Sequence, residues 1–249
     1  MIWTRIGTEP LLVDSDVSVP LARAIGVALE RVAVPILRLR CGRAEPLASG
    51  ALYLLGSSLL VLTCRHLFDD GASAGDLGLP LGNSGRILWL RTARPRVLVD
   101  PDADLAAIRI GCRRCAGLLR QHWQTAPFDA LASEARSRTY VFAGFPYAQM
   151  RRVGAAIYAR PVVIFARGER SGEQLKVSYR RLARRVDGLE IHAPALDGVS
   201  GATLWAVIED GAERCVLQPA AVQSSFKHDA YVKAEPVGPF FRLLRARLS

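Results

Sequence analysis

From Val34 to Ile110 the chain is cut into apolar or alternating runs too short for ordinary helices: PILRLRCG, GALYLL, SLLVLTC, RILWLR, RVLVD and LAAIRI. Glycine, proline and aspartate stand between them. Runs of four to eight such residues bounded by turn formers read as strands, and a succession of them restricts the chain to a β-barrel or β-sandwich. The pattern relaxes in GLLRQHWQTAPFDALASEARSR, which has room for a helical turn or two and a connection. It then resumes in TYVFAGFP, AAIYARPVVIFA, QLKVSYRRL, GLEIHAP, ATLWAVI and RCVLQP. The count gives two blocks of about six strands each. The expected division is an N-terminal extension over 1–33, a first β block over 34–115, a linker over 116–138, and a second β block with a terminal helix over 139–249.

The two ends also depart from this texture. VPLARAIGVALERV, residues 19–32, carries apolar side chains at helical spacing, and Pro20 suits a first turn. At the other end, PFFRLLRARLS aligns Phe240, Leu243, Leu244 and Leu248 on one face with arginines opposite, the pattern of an amphipathic helix docked on the second block.

A chain of 249 residues with 50% hydrophobic content can bury a large core as one unit or two packed lobes. No repeat of short period and no low-complexity tract is visible. The opening stretch lacks a basic segment leading into a sustained apolar run, and runs such as Leu59–Leu62 are strand-sized, so a soluble cytoplasmic protein with no membrane partner is the expectation. Five cysteines, an odd number, then read as reduced thiols rather than a disulfide frame. Cys112 and Cys115 have metal-ligand spacing, but no second pair completes a structural zinc site, and no metal is expected. The net charge of +10 includes the clusters Arg151-Arg152, Arg180-Arg181 and Arg184-Arg185. These lie among strand-like segments without interleaved exposed aromatics, which favours a solvated basic face over nucleic-acid binding.

Three stretches carry candidate chemistry. Ser49-Gly50-Ala51-Leu52-Tyr53 is followed by an apolar strand ending in Thr63-Cys64-Arg65-His66. Asp104 then enters the apolar run Leu105–Ile108, and Gly198-Val199-Ser200-Gly201 forms a tight turn in the second block. Taken singly, His66 reads as a structural histidine, Asp104 as a turn cap beside Asp100 and Asp102, and Ser200 as a turn residue. Taken together, in this order and β context, they resemble the trypsin-like (chymotrypsin-fold) serine peptidases, of the bacterial intracellular type. Ala143-Gly144-Phe145-Pro146 resembles the glycine-aromatic-proline turn early in the second barrel of bacterial members.

The resemblance implies an all-β fold of two six-stranded antiparallel β-barrels with short terminal helices. It implies a serine endopeptidase with His66 as general base and acid, Asp104 as the orienting carboxylate and Ser200 as nucleophile. The backbone N–H groups of Gly198 and Ser200 would form the oxyanion hole. No cofactor is implied; the substrate is a protein or peptide, and a regulatory protein partner is compatible with an effector role. The alternative is a pseudoprotease of the same fold that binds peptides without cleaving them. His122, His192 and His228 lack the Thr-x-x-His context.

Two departures stand out. Many secreted members carry an aspartate before the nucleophile that receives the new N-terminus on zymogen cleavage; Val199 stands there, which disfavours that route. Pro219 removes a backbone donor from the strand expected to pair with substrate. Ala193–Leu196 would help line the primary pocket and carry no acid, so a small or apolar side chain is expected there over lysine or arginine.

Overall fold

The computed structural model of the chain describes residues 2–248 except 8, 14, 70, 128–136, 172–173 and 210–214. The stretch 128–136 of the expected linker therefore lies outside the described residues. Two short strands, β1 (Ile2–Arg5) and β2 (Leu11–Val13), precede α1 (Val19–Val32). Pro20 lies in the first turn of α1, and Ala22, Ile25 and Leu29 form its buried stripe.

The first block contains β3 (Ala33–Arg40), β4 (Arg43–Leu55), β5 (Ser58–Thr63), β6 (Leu77–Pro80), β7 (Ile87–Trp89), β8 (Pro95–Val99) and β9 (Ala106–Ile110). Their order is β7-β6-β3-β4-β5-β9-β8. The end strands β7 and β8 are not hydrogen-bonded to each other, so this sheet curls into a half-barrel. Then come α2 (Arg113–His122) and β10 (Ala126–Pro127), which pairs in parallel with β4.

The second block contains β11 (Thr139–Gly144), β12 (Met150–Val153), β13 (Ala156–Ala159), β14 (Val162–Ser171), β15 (Gln174–Tyr179), β16 (Leu182–Arg185), β17 (Glu190–His192), β18 (Thr203–Glu209), β19 (Cys215–Lys227) and β20 (Ala230–Pro236). Six of these close a ring in the order β11-β18-β19-β20-β15-β14, with β14 returning to β11. Helix α3 (Gly238–Leu248) ends the described chain. The chain thus has the two-barrel architecture of the chymotrypsin type, one barrel closed and the other open.

The N-terminal strands are built into the second block. β1 lies parallel to β13, Ile2 opposite Ala156, and β2 lies parallel to β14, Leu11 opposite Ile164. β16 and β17 continue the sheet beyond β2.

Where the barrels meet, burial is nearly complete. Tyr53 is fully buried, donates to Thr203 Oγ1 at 3.2 Å, stacks on Trp205 at 6.2 Å between centroids and meets Phe241 of α3 at 5.7 Å. Burial raises the Tyr53 phenol pKa far above its ordinary value, with the Thr203 hydrogen bond opposing, so it stays a neutral donor. Gly201 marks the closest approach: a Cβ there would stand 2.2 Å from both Ser49 O and Thr63 Oγ1.

Candidate active site

The apolar strand β5 ends at Thr63, and the chain turns through a single 3-10 turn over Arg65–Phe68 that carries His66 to the surface of the seam. Across from it, Asp100 folds the loop before β9: its Oδ1 accepts from Asp102 N at 2.9 Å and Ala103 N at 3.1 Å. Arg65 clamps the same loop through the carbonyls of Asp100 and Pro101 at 3.2 and 3.1 Å. Capping of this turn therefore belongs to Asp100, which leaves the Asp104 carboxylate for His66. Asp104 Oδ2 lies 2.7 Å from His66 Nδ1, and Oδ1 accepts from His66 N at 2.8 Å.

The electrostatics follow from that pairing. The Asp104 hydrogen bond, helped by Cys64, raises the His66 pKa to about 10 against the opposing effect of burial. Burial pushes the Asp104 carboxyl up, but the side-chain and backbone hydrogen bonds from His66 outweigh it and hold the carboxyl below its ordinary range. The imidazole is 43% exposed and its partner 22%, so this is a solvent-facing pair at the mouth of the seam.

Ser200 comes from the other barrel, three residues before β18. The turn around it is held by carbonyls pointing away from it: Asp197 O accepts from Tyr147 N at 2.7 Å, Gly198 O from Ser49 Oγ at 2.9 Å, and Ser200 O from Ser49 N at 2.8 Å. The N–H groups of Gly198 and Ser200 have no acceptor among the described residues. Gly198, at φ +90°, is required here, because a Cβ would strike the Tyr147 ring at 2.4 Å. Val199 is fully buried among the apolar residues of the closed barrel and packs on Gly144. Hydrophobic burial thus holds this position next to Ser200.

The structure brings His66 and Asp104 into contact and sets the Ser200 turn against the base of the His66 turn. Gly201 abuts Thr63 and the Cys64 backbone. Among the described residues no hydrogen bond joins the Ser200 hydroxyl to His66; Nε2 instead lies 3.4 Å from Cys64 Sγ. His122, His192 and His228 do not join the site: His122 ends α2, His192 ends β17, and His228 stands edge-on to Tyr179.

Sequence reading missed Ser49. It is fully buried, and besides the two bonds to the Ser200 turn its Oγ accepts from Phe145 N at 2.9 Å while its carbonyl accepts from Thr63 Oγ1 at 2.9 Å. Its position in the small-residue run Ala48-Ser49-Gly50 beside an apolar strand is the available signal. Pro219 is also relocated. It pairs with Trp205 at a bulge, while Gln223 is the β19 residue beside the turn, donating to Ala202 O and accepting from Gly201 N, both at 2.8 Å. The donor missing at Pro219 is therefore not at the candidate site.

No described residues form a cluster of three or more side chains suited to a metal. Cys112 instead caps α2, its Sγ accepting from Cys115 N at 3.5 Å. No helix among the described residues is long and apolar enough to cross a membrane.

No protein-family model matches the chain, and no curated protein matches it. Among solved structures it is similar to a human pathogenic astrovirus serine protease, at 15% identity and a TM-score of 0.41, over 83% of this chain and 90% of that one. It is also similar to a chain from a study of how aromatic interactions drive the coupled folding and binding of the intrinsically disordered Sesbania mosaic virus VPg protein. That match has 12% identity and a TM-score of 0.50 over 94% of each chain, a likeness of fold.

Proposed function

We propose that the chain is a serine endopeptidase with a His66–Asp104–Ser200 triad. The observation that carries this reading is the 2.7 Å His66–Asp104 pair set against a turn that carries Ser200 together with two N–H groups, its own and that of Gly198, without an acceptor among the described residues. In the proposed mechanism His66 Nε2 takes the Ser200 hydroxyl proton as Oγ bonds to the scissile carbonyl carbon, and the oxyanion receives hydrogen bonds from Gly198 N–H and Ser200 N–H. Asp104 holds the Nδ1 proton and stabilises the imidazolium. His66 then protonates the leaving amine as the C–N bond breaks, and water releases the acyl group by the reverse sequence. No step needs a metal or cofactor. A protein or peptide is the substrate, and five free thiols, one of them the exposed Cys41, suit a reducing cytoplasm.

A second reading has its own observation. Because Nε2 meets Cys64 Sγ rather than Ser200 Oγ, the same scaffold suits either a non-catalytic peptide-binding module or an effector whose Ser200 is brought to His66 by a protein partner. Labelling with a fluorophosphonate separates these. The expected result is covalent modification at Ser200 that is lost in Ser200→Ala and His66→Ala; modification of the wild type only when host lysate is added identifies the partner-controlled form. Absence of labelling under both conditions overturns catalysis.

A further inference from the structure

Beside the candidate nucleophile, Gln223 is the residue whose buried side chain has no hydrogen-bond partner among the described residues. Its backbone is bonded on both sides to Gly201 and Ala202, immediately after Ser200. Its side chain is fully buried, yet neither Oε1 nor Nε2 has a hydrogen-bond partner. The register fixes where that side chain goes. Gln223 lies opposite Ala234 of β20 and two residues from Ala221, and both alanines belong to the closed barrel's interior cluster. The side chain therefore points to the apolar interior of the closed barrel, the cluster to which Ala193, Leu196 and Ala202 around the Ser200 turn also belong. The β19–β20 register slips directly after it, between Gln223 and Ser225.

Folding alone favours leucine here. An amide carries its hydrogen bonds to water in the unfolded chain and loses them all at this position, a cost that native proteins rarely leave uncompensated. We infer that Gln223 is a specificity-determining residue of the primary pocket and reads an uncharged carboxamide, the side chain of a substrate glutamine or asparagine. This inference rests on the proteolytic reading above. The unpaired Oε1 requires a donor and the unpaired Nε2 an acceptor; a carboxamide supplies one of each at the spacing of the amide it faces. Lysine and arginine offer donors only, and glutamate would bring an unpaired charge into apolar walls. Leucine leaves both Gln223 atoms unsatisfied, so the expectation of an apolar or small preference drawn from Ala193–Leu196 narrows to a neutral polar one. The carboxamide is shut off from solvent in this structure, so a substrate side chain must displace neighbouring groups to reach it.

The test compares cleavage of matched peptides bearing Gln, Asn, Leu, Lys or Glu before the scissile bond, by the wild type and by Gln223→Leu, with Gln223→Met as a second apolar variant of similar volume. The wild type should show kcat/KM at least tenfold higher for Gln than for Leu. The variants should invert that ratio and melt at the same temperature as the wild type or higher, since each removes an unpaired buried amide. A structural glutamine would give the opposite: a lowered melting temperature with the preference intact. Wild-type labelling at Ser200 without a preference for Gln over Leu overturns the pocket assignment alone. Failure of the wild type to label, with or without lysate, removes the proteolytic reading and the assignment with it.

Discussion

In the proposed mechanism His66 must lose a proton to act, and Asp104, which orients it, makes it hold that proton. Asp104, with Cys64 in second place, raises the folded-state pKa to about 10, above the roughly 6.5 of a free imidazole. The sign of the effect is therefore fixed. The imidazolium–carboxylate pair stabilises the fold fully below about pH 6.5, and this contribution fades as pH rises through about 10. The proposed reactivity runs the other way, because only a neutral Nε2 could accept the Ser200 proton. The rate of fluorophosphonate labelling should climb from pH 7 toward pH 10 while the melting temperature declines over the same span. Asp104→Asn should move the labelling profile back toward the ordinary imidazole range and lower its plateau by as much as about 10⁴-fold through the wrong tautomer. A profile with its midpoint near 6.5 in both proteins would show that the pair does not govern the reaction. At this scale order and local context made the placement of His66 legible, at the turn that ends its apolar strand. The sequence was silent on Ser49, because a serine in a small-residue run is ordinary until the other barrel's Gly198 and Ser200 carbonyls are placed against it.

The elements with strong local signals stand where periodicity puts them. Helix α1 spans Val19–Val32, the same fourteen residues whose apolar spacing marks it, and five of the six strands that close the second barrel begin as a visible apolar run; β20, AYVKAEP, carries charge through its middle and does not read as a strand. What periodicity cannot reveal is partnership. β1 and β2 are four- and three-residue strands whose partners, β13 and β14, lie more than a hundred residues away, and β17 reads as a barrel strand but, with β16, extends the sheet outside the ring. The β1 pairing has a consequence at the site. Trp3 is fully buried and packs edge-on against Phe145 at 6.0 Å, and Phe145 N donates to Ser49 Oγ, which in turn donates to Gly198 O. The N-terminal strand thus braces the turn by packing, in a chain where Val199 offers no carboxylate for an N-terminal amine. Trp3→Ala should cost about 3–5 kcal/mol in urea denaturation. It should also slow Ser200 labelling under conditions where the variant remains folded. Lost stability with an unchanged labelling rate would confine β1 to a structural role.

For the molecule as a whole, the seam between the barrels is the determining feature, because the proposed chemistry draws His66 and Asp104 from one side and Ser200 from the other. Gly201 sets how closely the barrels approach. Its φ of +89° is one that L side chains rarely adopt, and the atoms a Cβ would meet include the Ser49 carbonyl, part of a strand backbone that cannot swing aside. The fully buried contacts of Tyr53 with Thr203 and Trp205 cross the same interface, so displacement at Gly201 is resisted by packing on both barrels. Gly154 provides the control, since it too has a positive φ, +59°, but no atom within 4 Å of its notional Cβ. Gly154→Ala carries backbone strain alone, about 1 kcal/mol. Gly201→Ala carries strain together with overpacking, on the order of 3 kcal/mol or more. Urea denaturation of the two variants measures the difference, and labelling of the folded fraction shows whether forcing the barrels apart also takes Ser200 out of reach of His66. Equal losses for the two alanines would mean that the seam yields freely and that the spacing of the candidate triad is not set by Gly201.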